Sequence, residues 1–450
     1  MQRVKVHGGV LSTAQWRALA DMARRYTPSY PLHVTTRQDV ELHGIAPGSI
    51  GAIQREIARA DLTAMGAAGD TLRNVTVCPG SGLCTESVDV SGVASAIREA
   101  AESLPWIRAL PRKFKISVSG CDEGCARPWI NDVGLQATHG GRFRVVVAGS
   151  LGPRPRTGIE LGRLFTAAEV VPLVVAALTL FNAEGDRKNR GQARLRHVRE
   201  RLGDDVFRRR LDELFDEESR RGWPVPAIAP VTPGVPESAC LKLPLGDIMP
   251  EELDLLAAAV DRAQGVIRIG FEHDLRIYTT AAVGFPPSLT ECVRRAAVTT
   301  CPGTTWCPRG IADARAAAAE IAEAVPHAWG GSVQISGCPN NCAQSAVADI
   351  GLIGCIRTIG GVRQECFRLM AGGDKGRGTG LAQELSPAVP AGVIPNVVVL
   401  VIDEFKNFSR AENVSFGRFV RESRGKLSET IARRVGDYSP SIDSTRERSV

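Results

Sequence analysis

Charge of one sign is scarce in this chain. Fifty-five Lys and Arg against 49 Asp and Glu leave a net charge of only +6 over 450 residues. That is too diffuse for a nucleic-acid surface, although it suits an anionic ligand or an acidic partner. Long apolar runs are missing too. The longest, Val170 to Phe181, is too short for a bilayer and contains Pro172, and the opening MQRVKVHGGVLST has no apolar stretch of signal-peptide length. The expectation is a soluble, cytoplasmic protein with no membrane partner. The seven histidines show no metal-ligand spacing. No G-x-G-x-x-G opens a helix after a strand, so no bound dinucleotide is expected. Cysteine, at twelve residues, is too sparse for a disulfide scaffold, and thiols in a reducing compartment are more often metal ligands or catalytic groups.

What is present is average globular composition, 44% hydrophobic and 23% charged, in a chain long enough for two to four domains. Eight of the twelve cysteines repeat one pattern. CPGSGLC (Cys78, Cys84) and SGCDEGC (Cys121, Cys125) return as CPGTTWC (Cys301, Cys307) and SGCPNNC (Cys338, Cys342). Their surroundings repeat as well: helical DVSGVASAIREAAESL and IADARAAAAEIAEAV, strand-like NDVGLQA and ADIGLIG, and glycine-rich AGSLGPRPRTG and AGGDKGRGTG. Half a chain per copy makes this a duplication rather than a solenoid. A smaller α+β module precedes each copy. In the first, helix TAQWRALADMARRY is followed by strand PLHVTTRQDVELHG and helix SIGAIQREIARADL. In the second, PEELDLLAAAVDRA, VIRIGFEHDLRIYTT and SLTECVRRAA follow in the same order. The expected organisation is a small module over 1–66, a large one over 67–222, a proline-rich linker over 223–236, a second small module over 237–296, a second large one over 297–436, and a polar, disordered tail over 437–450.

Two cysteine pairs in loops, brought together by folding, present four thiolates to one centre. Structural zinc sites space each pair by two to four residues. The five residues between Cys78 and Cys84, and between Cys301 and Cys307, form a wider loop suited to an iron–sulfur cube. Helices expected just after Cys84 and Cys307 would aim backbone N–H groups at an anionic cluster. The remaining cysteines, Cys240, Cys292, Cys355 and Cys366, fit no spacing and read as core thiols.

At these residues the chain resembles the siroheme-dependent sulfite and nitrite reductases. The resemblance spans nearly the whole chain and rests on CPGTTWC, ISGCPNNCAQSAVADIGLIG, TTRQDVELHG, LRNV, LPRKFK, NDVGL and DRKNR. It implies an α+β fold, internally duplicated and pseudo-twofold, each half a ferredoxin-like module plus a larger α/β siroheme and iron–sulfur module. It further implies that Cys301, Cys307, Cys338 and Cys342 ligate a 4Fe-4S cluster, with Cys342 bridging to the siroheme iron. Arg37, Arg73, Lys113 and Lys115 match the positions that surround the substrate anion and relay protons, a reasonable division between arginine forks and lysine donors. Gln38, Asn131, Arg154, Arg156, Arg187, Lys188, Asn189, Gly372, Gly373, Lys375 and Arg377 are the cofactor-binding candidates.

The implied reaction is the six-electron reduction of sulfite to sulfide, with electrons arriving singly from a separate carrier, a ferredoxin or a flavoprotein reductase. Lys115 favours sulfite, because plant-type nitrite reductases generally place asparagine there; ferredoxin–nitrite reduction is the alternative. Three features depart from the family. The first-half cysteines Cys78, Cys84, Cys121 and Cys125 are complete, whereas the second half has Ala296, Gly330 and Ser332 where Arg73, Lys113 and Lys115 stand in the first. One siroheme on the second-half cluster, with a possible second cluster in the first half, is the expectation. Glu41 replaces a family glutamine, and the stretch between Cys84 and PRKFK is short. A precorrin-3B synthase-like tetrapyrrole monooxygenase has a similar fold, but its family reads R-A-N where this chain has Arg37, Gln38 and Asp39. A non-catalytic iron–sulfur electron carrier would not need the cationic quartet.

Overall fold

The computed structural model describes residues 1–84, 87–138, 140–229, 235–375, 380–409 and 414–436. Two five-stranded sheets dominate it. One runs Leu72–Val77, Phe114–Ser119, Val133–Ala137, Phe143–Val147, Ile159–Phe165; the other runs Ala297–Thr300, Ser332–Ser336, Ile350–Ile359, Val362–Ala371, Gln383–Pro390. In each, the first two pairings are parallel and the last two antiparallel. The parallel strands are covered on both faces, so that even their polar residues, such as Asn74, Ser117, Thr299 and Gln334, are buried, and a helix, Ser91–Glu102 or Ala314–Ala324, bridges the first crossover in each sheet. Gly134 and Gly351 occupy the same place in the two sheets. A Cβ there would lie 2.3 Å from the Pro128 carbonyl oxygen and 1.9 Å from that of Ser345, so only glycine fits.

Helix Ala167–Glu184 carries the apolar run and is long and apolar enough to cross a bilayer. Here it is a core helix: Val170, Leu173, Val174, Ala177, Leu178 and Phe181 are all buried, and it packs against Asp204–Ser219. A helix apolar on every side belongs inside a large module.

Both small modules run strand, helix, hairpin, helix. The first comprises Gln2–Val4, Thr13–Tyr26, Leu32–Val34, Val40–Leu42 and Ile50–Arg59; the second comprises Glu237–Lys242, Pro250–Arg262, Val266–Ile269, Asp274–Tyr278 and Pro287–Arg294. The phrases expected as single strands are hairpins, because Gln38 (φ 61°) and His273 (φ 58°) turn the chain in the left-handed region. Although expected as separate modules, the two bury one common core reaching from Val4 to Cys292. Their helices Thr13–Tyr26 and Pro250–Arg262 pack together, and Asp247–Ile248 adds antiparallel to Leu32–Val34. The joining segment 223–229 lies along the first large module. Asp89 bridges to Ala229, and a Cβ on Gly92 would meet the Ala227 carbonyl oxygen at 2.6 Å. Residues 230–234 and the tail 437–450 fall outside the described residues.

Candidate active site

Both cysteine loops are built on one framework. The first cysteine of each set is buried at a strand end, and its sulfur accepts a backbone N–H: Gly120 to Cys78 at 3.0 Å, Gly337 to Cys301 at 3.1 Å. In the second loop, two left-handed residues at matching places, Gly124 and Arg127 against Asn341 and Gln344, turn the chain around the sulfurs. Ser119 and Ser336 each accept the N–H of the residue just before the second left-handed one, Ala126 and Ala343. The four thiols of each set influence one another electrostatically, and burial pushes the Cys301 thiol up to about 12. Such thiols ionise only with a cation to receive them. Among the described residues no three His, Cys, Asp or Glu side chains close around a single ion. Four converging thiols on a wider spacing suit a cube better than zinc. The helices expected just after Cys84 and Cys307 start later, at Ser91 and Ala314, and the Asp313 carboxylate caps the second. The amides that reach sulfur come from the loops: Gly120 and Glu123 in the first set, and Gly303, Gly337 and Asn340 in the second.

Trp306, inside CPGTTWC, is sandwiched between the His43 ring at 4.1 Å and the Arg315 guanidinium at 4.1 Å. Glu41, the unexpected carboxylate, orients this stack: it accepts from His43 at 2.9 Å and from Arg3. Although burial pushes its carboxyl up, His43 and Arg3 hold it well below the usual carboxylate range.

The turn carrying Arg37 reaches across to the second-half loop, where Thr36 Oγ1 donates to the Cys342 carbonyl at 3.0 Å and Gln344 Nε2 to the Thr36 carbonyl at 3.1 Å. Arg37 donates to Asn131 Oδ1 at 3.0 Å and to the Asn74 carbonyl at 2.9 Å, while its buried Nε has no protein acceptor. Burial, with Arg73 and Arg194 close by, lowers it to about 10. Arg73, also lowered to about 10 by burial and Arg3, holds the carbonyls of Ala67 and Gly69 and leaves its Nε free. Lys113 and Lys115, side by side before and on the strand Phe114–Ser119, both lie within electrostatic reach of the Cys342 sulfur. Burial and Arg194 depress Lys113 to about 8; burial, Arg37 and Lys113 hold Lys115 well below the usual lysine range. Thus Lys113, Lys115 and the turn that carries Arg37 meet Cys342 of the second half, with Arg73 close to Arg37 and Lys113.

The cofactor candidates divide. Asn131 belongs to this site: it orients Arg37 and is itself fixed by Ser117 and the Arg127 carbonyl. Arg154 and Arg156 sit on an exposed loop above Arg196, with Arg156 paired to Glu200 at 3.2 Å. Gln38 faces protein instead. Its side chain is bonded to both polar groups of Val77 and to the Ile269 carbonyl, so it clamps three segments together. Arg187 ties Ala109 and Asn182, Lys188 is exposed on the turn capped by Asp186, and Asn189 caps a short 3-10 turn. Gly372 and Gly373 are accounted for by packing, since a Cβ on either would strike Val420 or the Val347 backbone. Lys375 pairs with Glu272 at 2.5 Å, beside the first-half cysteines. Arg377 lies outside the described residues.

The sequence reading missed Arg194, Asp132, Arg196 and Asn74. Asp132 is fully buried and accepts Arg194 at 2.6 and 3.2 Å and the Lys115 N–H at 2.8 Å, so it sets where the lysine leaves its strand. Its signal was an aspartate repeated in both halves, Asp132 and Asp349. Buried polar atoms without a partner mark the same region: Nε of Arg37, Arg73 and Arg196, Oδ1 of Asn74 and Oγ of Ser150. This excess of buried donors and cations over carboxylates fits a tetrapyrrole rimmed with carboxylates and a small anion. Arg37, Arg73, Lys113, Lys115, Asn131 and Arg196 would hold them.

The family model described as nitrite and sulphite reductase 4Fe-4S domain matches residues 68–219 and 292–421, and that of the nitrite/sulfite reductase ferredoxin-like half domain matches 1–60. The chain is 27% identical to an assimilatory ferredoxin-dependent nitrite reductase of Haloferax mediterranei, over 90% of this chain and 79% of that one. It is 26% identical to a ferredoxin–nitrite reductase of Leptolyngbya laminosa, over 90% and 86%. The solved structure of Mycobacterium tuberculosis NirA protein superposes with a TM-score of 0.79 at 24% identity, over 94% of this chain and 84% of that one, which is a likeness of fold.

Proposed function

The chain belongs to the nitrite and sulphite reductase family of siroheme and 4Fe-4S enzymes, and on that premise we propose that it reduces nitrite to ammonia with six electrons delivered singly by a ferredoxin. The observation that carries an anion-reducing role is the meeting of Lys113, Lys115 and the Arg37 turn with the Cys342 loop, backed by Arg73 and Arg194, in a cluster with more cations than carboxylates. The choice of nitrite follows the relatives, which are named ferredoxin-dependent nitrite reductases. A net charge of +6 suits docking of an acidic carrier, and a cytoplasmic setting accords with that partner.

Siroheme coupled to its cluster, when bound at Cys301, Cys307, Cys338 and Cys342, supplies the electrons and an iron for the anion. The chain supplies charge and protons. Arg37, held by Asn131 and the Asn74 carbonyl, is preorganised as a donor to the anion's oxygens. Lys113 Nζ, at about 8, is poised to give up a proton near neutral pH as an oxygen leaves as water. Lys115, beside it on the strand and held below the usual lysine range by burial, Arg37 and Lys113, is placed to pass on a second.

A second reading, sulfite reduced to sulfide, is favoured by Lys115 in place of asparagine. The two anions are compared with viologen-reduced protein. The proposal expects kcat/KM for nitrite to exceed that for sulfite at least about tenfold, a difference of roughly 1.4 kcal/mol. The opposite ratio gives the site to sulfite. Lys115→Asn is then expected to weaken sulfite reduction more than nitrite reduction; equal loss of both removes Lys115 as the discriminator.

A further inference from the structure

The pseudo-twofold relation generates a second cavity, and its contents differ from those of the first. It measures about 320 Å³ and is lined by Cys78, Cys84, Cys121 and Cys125 together with Arg127, Phe271, Glu272, Arg276, Tyr278 and Lys375. Its cysteines sit on the same framework as the second-half set: a buried first cysteine accepting a glycine N–H, a serine-braced loop, and left-handed residues at the same two places. Cys84 and Cys125 are exposed, and Cys121 is half-buried. Four free thiols with this spacing and support exceed what packing requires of four small core residues.

The cations, however, are replaced. The hairpin turn that presents Arg37 in the first half presents Glu272 in the second, each just before the left-handed residue, Gln38 or His273. Ser332 stands where Lys115 does: its N–H donates to Asp349 at 2.9 Å as that of Lys115 donates to Asp132. Glu272 is neutralised within the protein. It accepts Arg127 at 2.9 Å and Lys375 at 2.5 Å, and Lys375 also donates to Ser332 at 2.9 Å. Where the other cavity has more cations than carboxylates, this one has a closed ion-pair network. It offers cluster ligands but neither a carboxylate cradle nor an anion site.

The two cavities also touch. Arg127 and Phe271 line both this cavity and the cleft that holds Arg37, Lys115 and Asn131. Arg127 follows Cys125 by two residues, Gln344 follows Cys342 by two, and Arg127 Nη1 donates to Gln344 Oε1 at 2.6 Å across the pseudo-twofold axis. One layer of side chains and one hydrogen bond separate the two cysteine loops.

We propose that Cys78, Cys84, Cys121 and Cys125 hold a second 4Fe-4S cluster without an accompanying siroheme, and that this cluster is a one-electron relay between the donor and the catalytic centre. The donor, a reduced one-electron iron–sulfur protein, is oxidised as the first-half cluster is reduced. That electron passes on to the second-half cluster, and the cycle runs six times per anion. The exposed side of the cavity faces the donor, while Arg127 and Phe271 face the active site.

This assignment rests on the reductase reading for its role but not for its metal content, and the test separates the two. Anaerobically purified protein is analysed for iron, acid-labile sulfide, zinc and siroheme, and its reduced form is examined by electron paramagnetic resonance. The expected result is about eight acid-labile sulfides per chain, about one siroheme, and spectra of two clusters. Cys125→Ser and, separately, Cys121→Ser should lower sulfide to about four while siroheme is retained, which also shows that the variants fold. About four sulfides in the wild type, zinc at about one per chain, or sulfide unchanged in both variants overturns the second cluster. Eight sulfides without siroheme or turnover would instead overturn the reductase reading and leave the cluster standing.

Discussion

Asp132→Asn is the most informative single change to the positioning of Lys113 and Lys115. The carboxylate is fully buried, and Arg194, its partner, has a side chain only 11% exposed. Two charge-assisted bonds from Arg194 and one from the Lys115 N–H converge on it. Asparagine keeps the shape and removes the charge, which strands a buried guanidinium among Arg37, Lys113 and Lys115. Removing one partner of such a pair costs about 3–5 kcal/mol. With a urea dependence of about 3 kcal/mol per molar, the unfolding midpoint of the first large module should fall by about 1–2 M. The same change leaves Arg194, whose charge already depresses both lysines, without its counterion, so both should become still more acidic. Urea titration followed by far-ultraviolet circular dichroism, on protein without and with siroheme, measures the first effect. The fall should be larger without siroheme, whose carboxylates would partly replace Asp132. A shift below about 0.3 M in both forms would refute the reasoning, because it would mean that Arg194 does not depend on Asp132.

Other perturbations follow from the same geometry. Lys113 is lowered from the ordinary lysine value to about 8, so the rate of anion reduction should fall as pH rises past about 8 and its ammonium proton is lost; Lys113→Arg should abolish that limb of the kcat profile. The unfolded chain holds this proton more tightly, so protein without siroheme should gain stability as pH rises from about 8 toward the ordinary lysine range, read as a rise in urea midpoint. Trp306→Ala removes the stack between His43 and Arg315, worth about 1–3 kcal/mol, and cluster absorbance should bleach faster in air; an unchanged half-life would remove the stack as a support of the loop. Gly351→Ala forces a Cβ against the Ser345 carbonyl oxygen and should cost more than about 4 kcal/mol, seen as loss of soluble protein.

The duplication, the cysteine sets and the four cations were legible because each is a short pattern whose chemistry depends on residue type and spacing. Orientation was not legible. Gln38 lies beside Arg37 in sequence, yet the left-handed turn aims it at the Val77 and Ile269 backbones, where its amide satisfies buried groups. Lys375 looks equivalent to the cations of the first-half glycine-rich segment, but the pseudo-twofold crosses the halves: each half's loops serve the other half's cysteines, so a second-half lysine falls beside Cys78, Cys84, Cys121 and Cys125. The pair Arg127 and Gln344 joins residues 217 apart, and Asp132 with Arg194 joins residues 62 apart. Contacts of this kind arise only from folding, and nothing local marks them.

The claim at the centre is that first-half cations and second-half cysteines form one anion-reducing site. It is tested most directly by the steady-state rate at which siroheme-loaded protein, reduced by a viologen, converts nitrite to ammonium, measured side by side with Lys113→Ala. The account predicts six electrons consumed per ammonium formed and a loss of about a hundredfold or more in the variant at equal siroheme and cluster content. A variant that turns over nitrite as fast as the parent, or a loaded parent that reduces neither nitrite nor sulfite, would contradict it.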